Sequence, residues 1–212
     1  MMLYFYGVYL QNTEISTALD LVRFLGEPDS IRFSHITLRG PYQKRLNKHW
    51  LREINGDPQY EWKIKLLEPG TFFSTGQTTV FLKVDLCSLH EIFHKPDFPG
   101  GLPHLTVYDG KDLDFAKELS ELLSMYEWRR EVRVTRLRLI ERKHKVDEVF
   151  LTFFMAFSEL FRDIIGDPME ISLMKTASVD RRLTLIEKVL YRLHGDPRGL
   201  GRGIQIVTSA NY

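Results

Sequence analysis

The chain has 212 residues, 43% of them hydrophobic and 27% charged, and its 29 basic and 28 acidic residues give a net charge of +1. A chain of this length buries about 70% of its unfolded surface, and the single Cys87 cannot form an internal disulfide. The near-neutral balance excludes the strongly basic surface typical of proteins that bind long nucleic acids.

The first half of the chain predicts alternating strands and helices. Alternating or β-branched runs indicate strands, and apolar residues that recur at helical spacing indicate helices. The predicted elements are a strand at Leu3 to Leu10, a helix at Ile15 to Leu25, a strand at Ile31 to Leu38, a short helix at Asn47 to Ile54, and strands at Tyr60 to Leu67 and Thr78 to Val84.

The second half begins in the same manner and then becomes helical. A strand is predicted at Leu105 to Tyr108, a helix at Leu113 to Tyr126, a strand at Val132 to Ile140, and helices at Val146 to Ile164 and Val179 to Leu193. We therefore predict an α+β fold with a main domain at residues 1–144, a helical extension at 145–197 and a glycine-rich polar tail at 198–212. The broad phenylalanine-rich stripe of the extension must be covered, either by the main domain or by a second copy in a homodimer.

The cellular setting follows from what the sequence lacks. No segment matches a secretory signal, and the longest apolar-rich stretch, Val149 to Phe161, is shorter than the about 20 residues that span a bilayer. We expect a cytoplasmic protein with no membrane partner.

One four-residue pattern occurs twice, as His35-Ile36-Thr37-Leu38 and as His104-Leu105-Thr106-Val107. Successive side chains of a strand point to opposite faces, so each copy presents its histidine and threonine on one face. Two such copies in matching strand contexts would rarely arise by chance. They are the strongest candidates for a functional site.

These motifs and their flanks, Arg39-Gly40-Pro41-Tyr42 and Tyr108-Asp109-Gly110, resemble the 2H phosphoesterases, a superfamily that includes 2′-5′ RNA ligases and cyclic phosphodiesterases. The resemblance covers roughly residues 3 to 141. It implies a two-lobed, pseudo-symmetric sheet with a histidine strand from each lobe in a central cleft. It also implies metal-independent hydrolysis of a 2′,3′-cyclic phosphate or a 2′-5′ phosphodiester, at RNA ends or in nucleotides, with ligation by reversal and no cofactor.

The residues themselves fit this chemistry. An imidazole titrates near pH 6.5, so one histidine can accept a proton while the other donates one. The catalytic candidates are His35 and His104, and Thr37 and Thr106 can donate hydrogen bonds to phosphate oxygens. Arg39, Tyr42 and Tyr108 are candidates for contacting phosphate or stacking on a base, and equally for edge or turn roles.

Two other functions compete with this hypothesis. The first is an RNA-binding or nucleotide-binding module without turnover, which would keep both motifs but block the cleft. The second is a zinc metallopeptidase, because His90-Glu91-Ile92-Phe93-His94 matches H-E-x-x-H, a pattern that places two zinc ligands on one face of a helix. Pro96 would end such a helix at once, and we therefore assign no metal site.

Overall fold

The computed structural model describes residues 3–11, 13–28, 30–57, 59–74, 76–94, 101–140, 144–145, 157, 159–166 and 176–197. The fold is α+β. Its elements in chain order are β1 (Tyr4–Tyr9), α1 (Thr13–Gly26), β2 (Ser30–Ile31), β3 (His35–Tyr42), α2 (Lys48–Asn55), β4 (Trp62–Ser74), β5 (Gln77–Asp85), a 3₁₀-helix (Cys87–Ile92), β6 (His104–Gly110), α3 (Leu113–Ser124), β7 (Arg130–Val134), β8 (Arg138–Leu139), β9 (His144–Lys145) and α4 (Val179–His194).

Seven strands form one antiparallel sheet in the order β7-β4-β5-β6-β3-β1-β8, and β2 pairs separately with β9. The two halves of this sheet meet where β3 pairs with β6 at Ile36 and Leu105. The sheet curls, because Leu10 at the end of β1 forms an antiparallel bridge with Val134 at the end of β7. The seven strands therefore form one continuous curled sheet.

The hydrophobic core lies between one face of the sheet and the helices α1, α3 and α4. Apolar residues alternate along the central strands, so every second side chain points into this core. One row across the sheet consists of four fully buried side chains: Val8, Ile36, Leu105 and Leu82. The opposite face of the same strands is left for the polar residues between them.

Helix α4 packs against α1 and confirms the helix predicted at Val179 to Leu193. Its buried face consists of Ile186, Val189, Leu190 and Leu193. Arg182 Nη1 donates hydrogen bonds of 3.0 Å to the backbone oxygens of Leu25 and Gly26, which places a cation at the negative end of α1. Of the helix predicted at Val146 to Ile164, the structure describes residue 157 and residues 159–164, all helical, and the remainder lies outside the described residues. Within the described chain, no helix has both the length and the apolar character to cross a membrane.

Two predicted strands differ from the observed ones. The strand predicted at Val132 to Ile140 is split, because Thr135 turns the chain around the end of β1. The Thr135 amide donates to the Tyr9 oxygen at 2.8 Å, and its hydroxyl accepts from the Tyr9 amide at 3.0 Å. The strand predicted at Ile31 to Leu38 is interrupted before His35, because the Ser34 amide donates to the Asp20 carboxylate and not to a neighbouring strand.

Candidate functional site

Strands β3 and β6 bring the four predicted side chains together on the face opposite the core. Ile36 and Leu105 are paired and fully buried, so the residues on either side of them point the other way. Those residues, all half-buried, are His35, Thr37, His104 and Thr106. Extended by one residue in each direction, this antiparallel register would place His35 opposite Thr106 and Thr37 opposite His104. At that register the two histidines are diagonal neighbours, for which the Cα atoms are typically roughly 7–8 Å apart.

Both imidazoles are held by the same backbone contact. His35 Nδ1 lies 2.8 Å from the Phe33 oxygen, and His104 Nδ1 lies 2.8 Å from the Leu102 oxygen. A carbonyl oxygen only accepts hydrogen bonds, so the proton of each neutral ring is assigned to Nδ1. The Nε2 atom of each ring is the position that can gain or lose a proton, and the two sites are prepared in the same way.

Cationic groups surround His35. Its ring lies 5.6 Å from that of Tyr9, and the Arg138 guanidinium lies 3.9 Å above the Tyr9 ring. Burial, together with the charges of Arg23, Arg32 and His104, lowers the pKa of His35 to about 4, against the opposing hydrogen bond to the Phe33 oxygen. His35 is therefore neutral at physiological pH, with an unprotonated Nε2.

Arg23 reaches this region from α1. It is only 6% exposed, and its Nη1 donates a 2.7 Å hydrogen bond to the backbone oxygen of Thr106. Burial lowers the pKa of Arg23 to about 10, while the nearby carboxylate of Asp20 opposes that shift. Arg23 remains charged, and it links the helix layer to the second histidine strand.

A polar cluster lies beyond Thr106, at the end of β6. Arg32 Nη1 lies 3.4 Å from Asp109 Oδ2, and the Thr79 hydroxyl donates to Asp109 Oδ1 at 3.0 Å. Because Arg32 precedes β3 and Asp109 ends β6, this contact links the two histidine strands where they are no longer paired.

Aromatic rings surround His104. Its ring lies 5.1 Å from Phe81 and 5.4 Å from Phe72, and these two phenylalanines stack on each other at 4.3 Å. Gly70 makes room for them, because a Cβ atom there would lie 2.7 Å from Phe81 Cζ. On β5, Lys83 is paired with His104 and forms a 3.0 Å ion pair with Glu68. His104 is therefore bordered by two aromatic rings and by the Lys83–Glu68 ion pair.

The three predicted substrate contacts lie in different places. A register shift in the β1–β3 pairing inserts one extra residue between Thr37 and Arg39, so Arg39 pairs with the buried Tyr6. The Arg39 guanidinium lies 4.6 Å above the Trp50 ring. Tyr42 ends β3, with its hydroxyl 3.4 Å from His94 Nδ1. Both residues lie beyond the point where the regular alternation of the His35 motif ends.

Tyr108 lies on the other face of the sheet. A register shift in the β5–β6 pairing inserts one extra residue after Thr106, so Tyr108 turns towards the helices. Its ring is buried 5.1 Å from Phe115, and its hydroxyl accepts from the Asp112 amide at 3.0 Å. Tyr108 thus packs against the helix layer, on the face of the sheet opposite the histidines.

The H-E-x-x-H segment does not form the α-helix that its zinc-binding function requires. His90 lies in the 3₁₀-helix, 3.5 Å from Asp85, whereas the His94 amide donates to the Leu38 oxygen on β3 at 2.8 Å. The two histidines thus have different surroundings. Among the described residues, no group of three or more His, Cys, Asp and Glu side chains is arranged to hold a metal ion.

Sequence reasoning missed the residues around the histidines. Arg23 carried a signal, because it follows Leu19 by four positions and Ile15 by eight and so falls on the apolar stripe of α1. Tyr9, Phe72 and Phe81 carried none, because their contacts depend on which strands become neighbours in the sheet. No protein-family model matches this chain, and no curated protein matches it.

Proposed function

We propose that this protein is a metal-independent phosphodiesterase of the 2H type, which hydrolyses a 2′,3′-cyclic phosphate or a 2′-5′ phosphodiester of an RNA end or nucleotide. The observation that carries the proposal is the matched pair of imidazoles. Each belongs to a His-x-Thr segment, both lie on one face of adjacent strands, and each has its Nδ1 bound to a carbonyl oxygen two residues earlier. This arrangement leaves two Nε2 atoms for a single reaction.

The surroundings of the two rings divide the work between them. His35, which burial and neighbouring arginines keep neutral, takes a proton from the attacking water on Nε2. The water oxygen bonds to phosphorus as the bond from phosphorus to the ribose oxygen breaks. His104, in its imidazolium form, gives its Nε2 proton to that leaving oxygen. The next turnover begins after His35 releases a proton to solvent and His104 regains one.

The threonines stabilise the charge that develops on the phosphate. Thr37 and Thr106 lie on the same face as the histidines and can each donate a hydrogen bond to a nonbridging oxygen. The backbone oxygen of Thr106 is held by the buried Arg23, which fixes the strand from which this hydroxyl projects.

The direct test is hydrolysis of 2′,3′-cyclic nucleotides and of 2′-5′-linked dinucleotides in the presence of EDTA. We expect turnover by the native protein and strongly reduced turnover by His35→Ala and His104→Ala. Full activity in either variant would reject the paired mechanism. Tight substrate binding without turnover would favour a binding module, and a requirement for zinc together with loss of activity in His90→Ala would favour the metallopeptidase hypothesis.

A further inference from the structure

An open pocket lies beyond the end of β3, outside the group of residues around the histidines. Its volume is about 440 Å³, which is within the range of small-molecule sites. Its lining contains two aromatic rings and two cations, and no acidic residue: Tyr42, Gln43, Lys44, Arg45, Leu46, Asn47 and Trp50.

The cations of this pocket lack anionic partners. Neither Lys44 nor Arg45 forms an ion pair with any residue that the structure describes; Arg45 lies 5.5 Å above the ring of Tyr4. Unpaired cations with no carboxylate among the lining residues make the pocket attractive to an anion.

Helix α2 adds to this charge. It begins at the pocket, where Asn47 accepts a 2.7 Å hydrogen bond from the Trp50 amide. The first turn of a helix carries partial positive charge and is stabilised by acidic side chains, but this one has none and contains Lys48 and His49. A bound anion would offset the unfavourable placement of Lys48 and His49 at the positive end of the helix. Nothing else in the fold accounts for that placement.

The aromatic residues give the pocket a second character. Trp50 is half-buried with the Arg39 guanidinium 4.6 Å above its ring, and Tyr42 borders the same opening. Nucleobases stack on such rings, and a phosphate pairs with adjacent cations, so a nucleotide satisfies both features at once.

Strand β3 carries the chain from the His35 motif to this pocket. Tyr42 follows Thr37 by five residues, and the β1–β3 pairing shifts register on both sides of Tyr6, so Tyr42 lies at most roughly 16 Å beyond Thr37. A mononucleotide held between the histidines is too short to span that distance, whereas an oligonucleotide end can span it.

We propose that the Trp50 pocket binds a nucleotide on the 5′ side of the reacting phosphate, so that the substrate is an oligonucleotide end and not a free mononucleotide. This inference rests on the proposed phosphodiesterase function and adds the substrate class. It predicts that catalytic efficiency depends on the length of the strand.

The experiment uses mono-, di- and trinucleotides that end in a 2′,3′-cyclic phosphate, at one low salt concentration. For the native protein we expect kcat/KM to rise roughly tenfold from the mononucleotide to the trinucleotide, as one base stacks and one phosphate is paired. In Trp50→Ala and in Arg45→Ala this ratio should fall towards one. Lys117→Ala, which removes a cation from the exposed surface of α3, should keep the native ratio.

The outcomes separate this inference from the function on which it rests. Equal kcat/KM for all three lengths in the native protein would overturn the inference and leave the phosphodiesterase function intact, as would an undiminished ratio in both pocket variants. If none of the substrates is hydrolysed, the proposed function fails. The pocket is then judged by fluorescence anisotropy with a labelled trinucleotide: tighter binding to the native protein than to Arg45→Ala supports it, and equal binding rejects it.

Discussion

The two histidine strands carry the same motif in different surroundings. On both strands an imidazole donates from Nδ1 to a carbonyl oxygen two residues earlier, at 2.8 Å in each case. His35, however, lies among the charges of Arg23 and Arg32, whereas His104 lies against the rings of Phe72 and Phe81.

This difference separates what a motif determines from what its neighbours determine. The four-residue pattern sets which atoms face the cleft and which nitrogen is available for proton transfer. The neighbours set the charge that His35 can carry, because burial and nearby cations disfavour its imidazolium. In the proposed reaction, this difference assigns the base to His35 and leaves the acid to His104.

The largest expected effect is removal of either imidazole. His35→Ala and His104→Ala should each lower kcat for cyclic-phosphate hydrolysis by roughly 10²–10⁴-fold, because each ring carries one proton transfer. Circular dichroism should show that both variants stay folded. His90→Ala, which removes a surface imidazole paired with Asp85, is the control and should keep native activity. If only one of the two catalytic variants loses activity, the two strands do not act as a pair.

The next effect concerns Thr37 and Thr106, which occupy the same position in the two motifs. Thr37→Val and Thr106→Val keep the shape of the side chain and remove its hydroxyl. Each should lower kcat by roughly 10²-fold through loss of a hydrogen bond to the phosphate. Steady-state kinetics should show similar losses in both variants. A large loss in one and none in the other would mean that the phosphate sits asymmetrically between the strands.

The pH dependence of the rate tests the assigned roles. A base with a pKa of about 4 stays unprotonated at higher pH, so the acid limb of kcat/KM in the native protein should lie near pH 4 and not near pH 6.5. Arg32→Gln removes a charge that disfavours protonated His35, so its limb should move to higher pH and lower the rate at acid pH by roughly twofold. Arg181→Gln, on the exposed side of α4, should leave the profile unchanged. An acid limb that does not move in Arg32→Gln would show that the Arg32 charge does not lower the pKa of His35.

The smallest effect is on folding stability at acid pH. The pKa of His35 is lower in the folded protein than in the unfolded chain, so the unfolded state binds more protons between about pH 6.5 and pH 4. The stabilising contribution is present above that window and is lost as the pH falls. In His35→Gln the acid-induced loss of unfolding free energy should be smaller than in the native protein by about 1–2 kcal/mol. Urea titrations at pH 7 and pH 4.5 measure it, and equal losses in both proteins would contradict the burial of this imidazole.

The sequence was sufficient for the parts of the fold that depend on local pattern. Strict alternation placed His35 and Thr37 on one face, and apolar spacing located α1, α3 and α4 within a few residues. It was insufficient wherever one residue breaks the pattern. The extra residue near Tyr108 reverses the direction of that side chain, and Thr135 splits a run whose alternation changes phase at Thr135 and Arg136. Both features depend on contacts with a distant strand.

The residues around the two histidines were less predictable from the sequence than the four motif residues themselves. The ring contacts of His104 involve β4 and β5, more than twenty positions earlier in the chain, and no spacing rule connects them with the motif. The position of Tyr42 at the Trp50 pocket likewise depends on where α2 lies relative to the strand that it follows. The paired motifs therefore predict the four central side chains better than they predict the residues around them.

The turn at Thr135 has a mechanical consequence. The halves of the sheet are joined in the middle by the pair Ile36 and Leu105, and a second time at the outside, where Thr135 exchanges two hydrogen bonds with Tyr9. A sheet whose halves are connected at two separate places resists bending about either connection. For the proposed reaction, this means that the fold sets the spacing of the two imidazoles before a substrate binds, which is the condition under which positioning contributes most to rate.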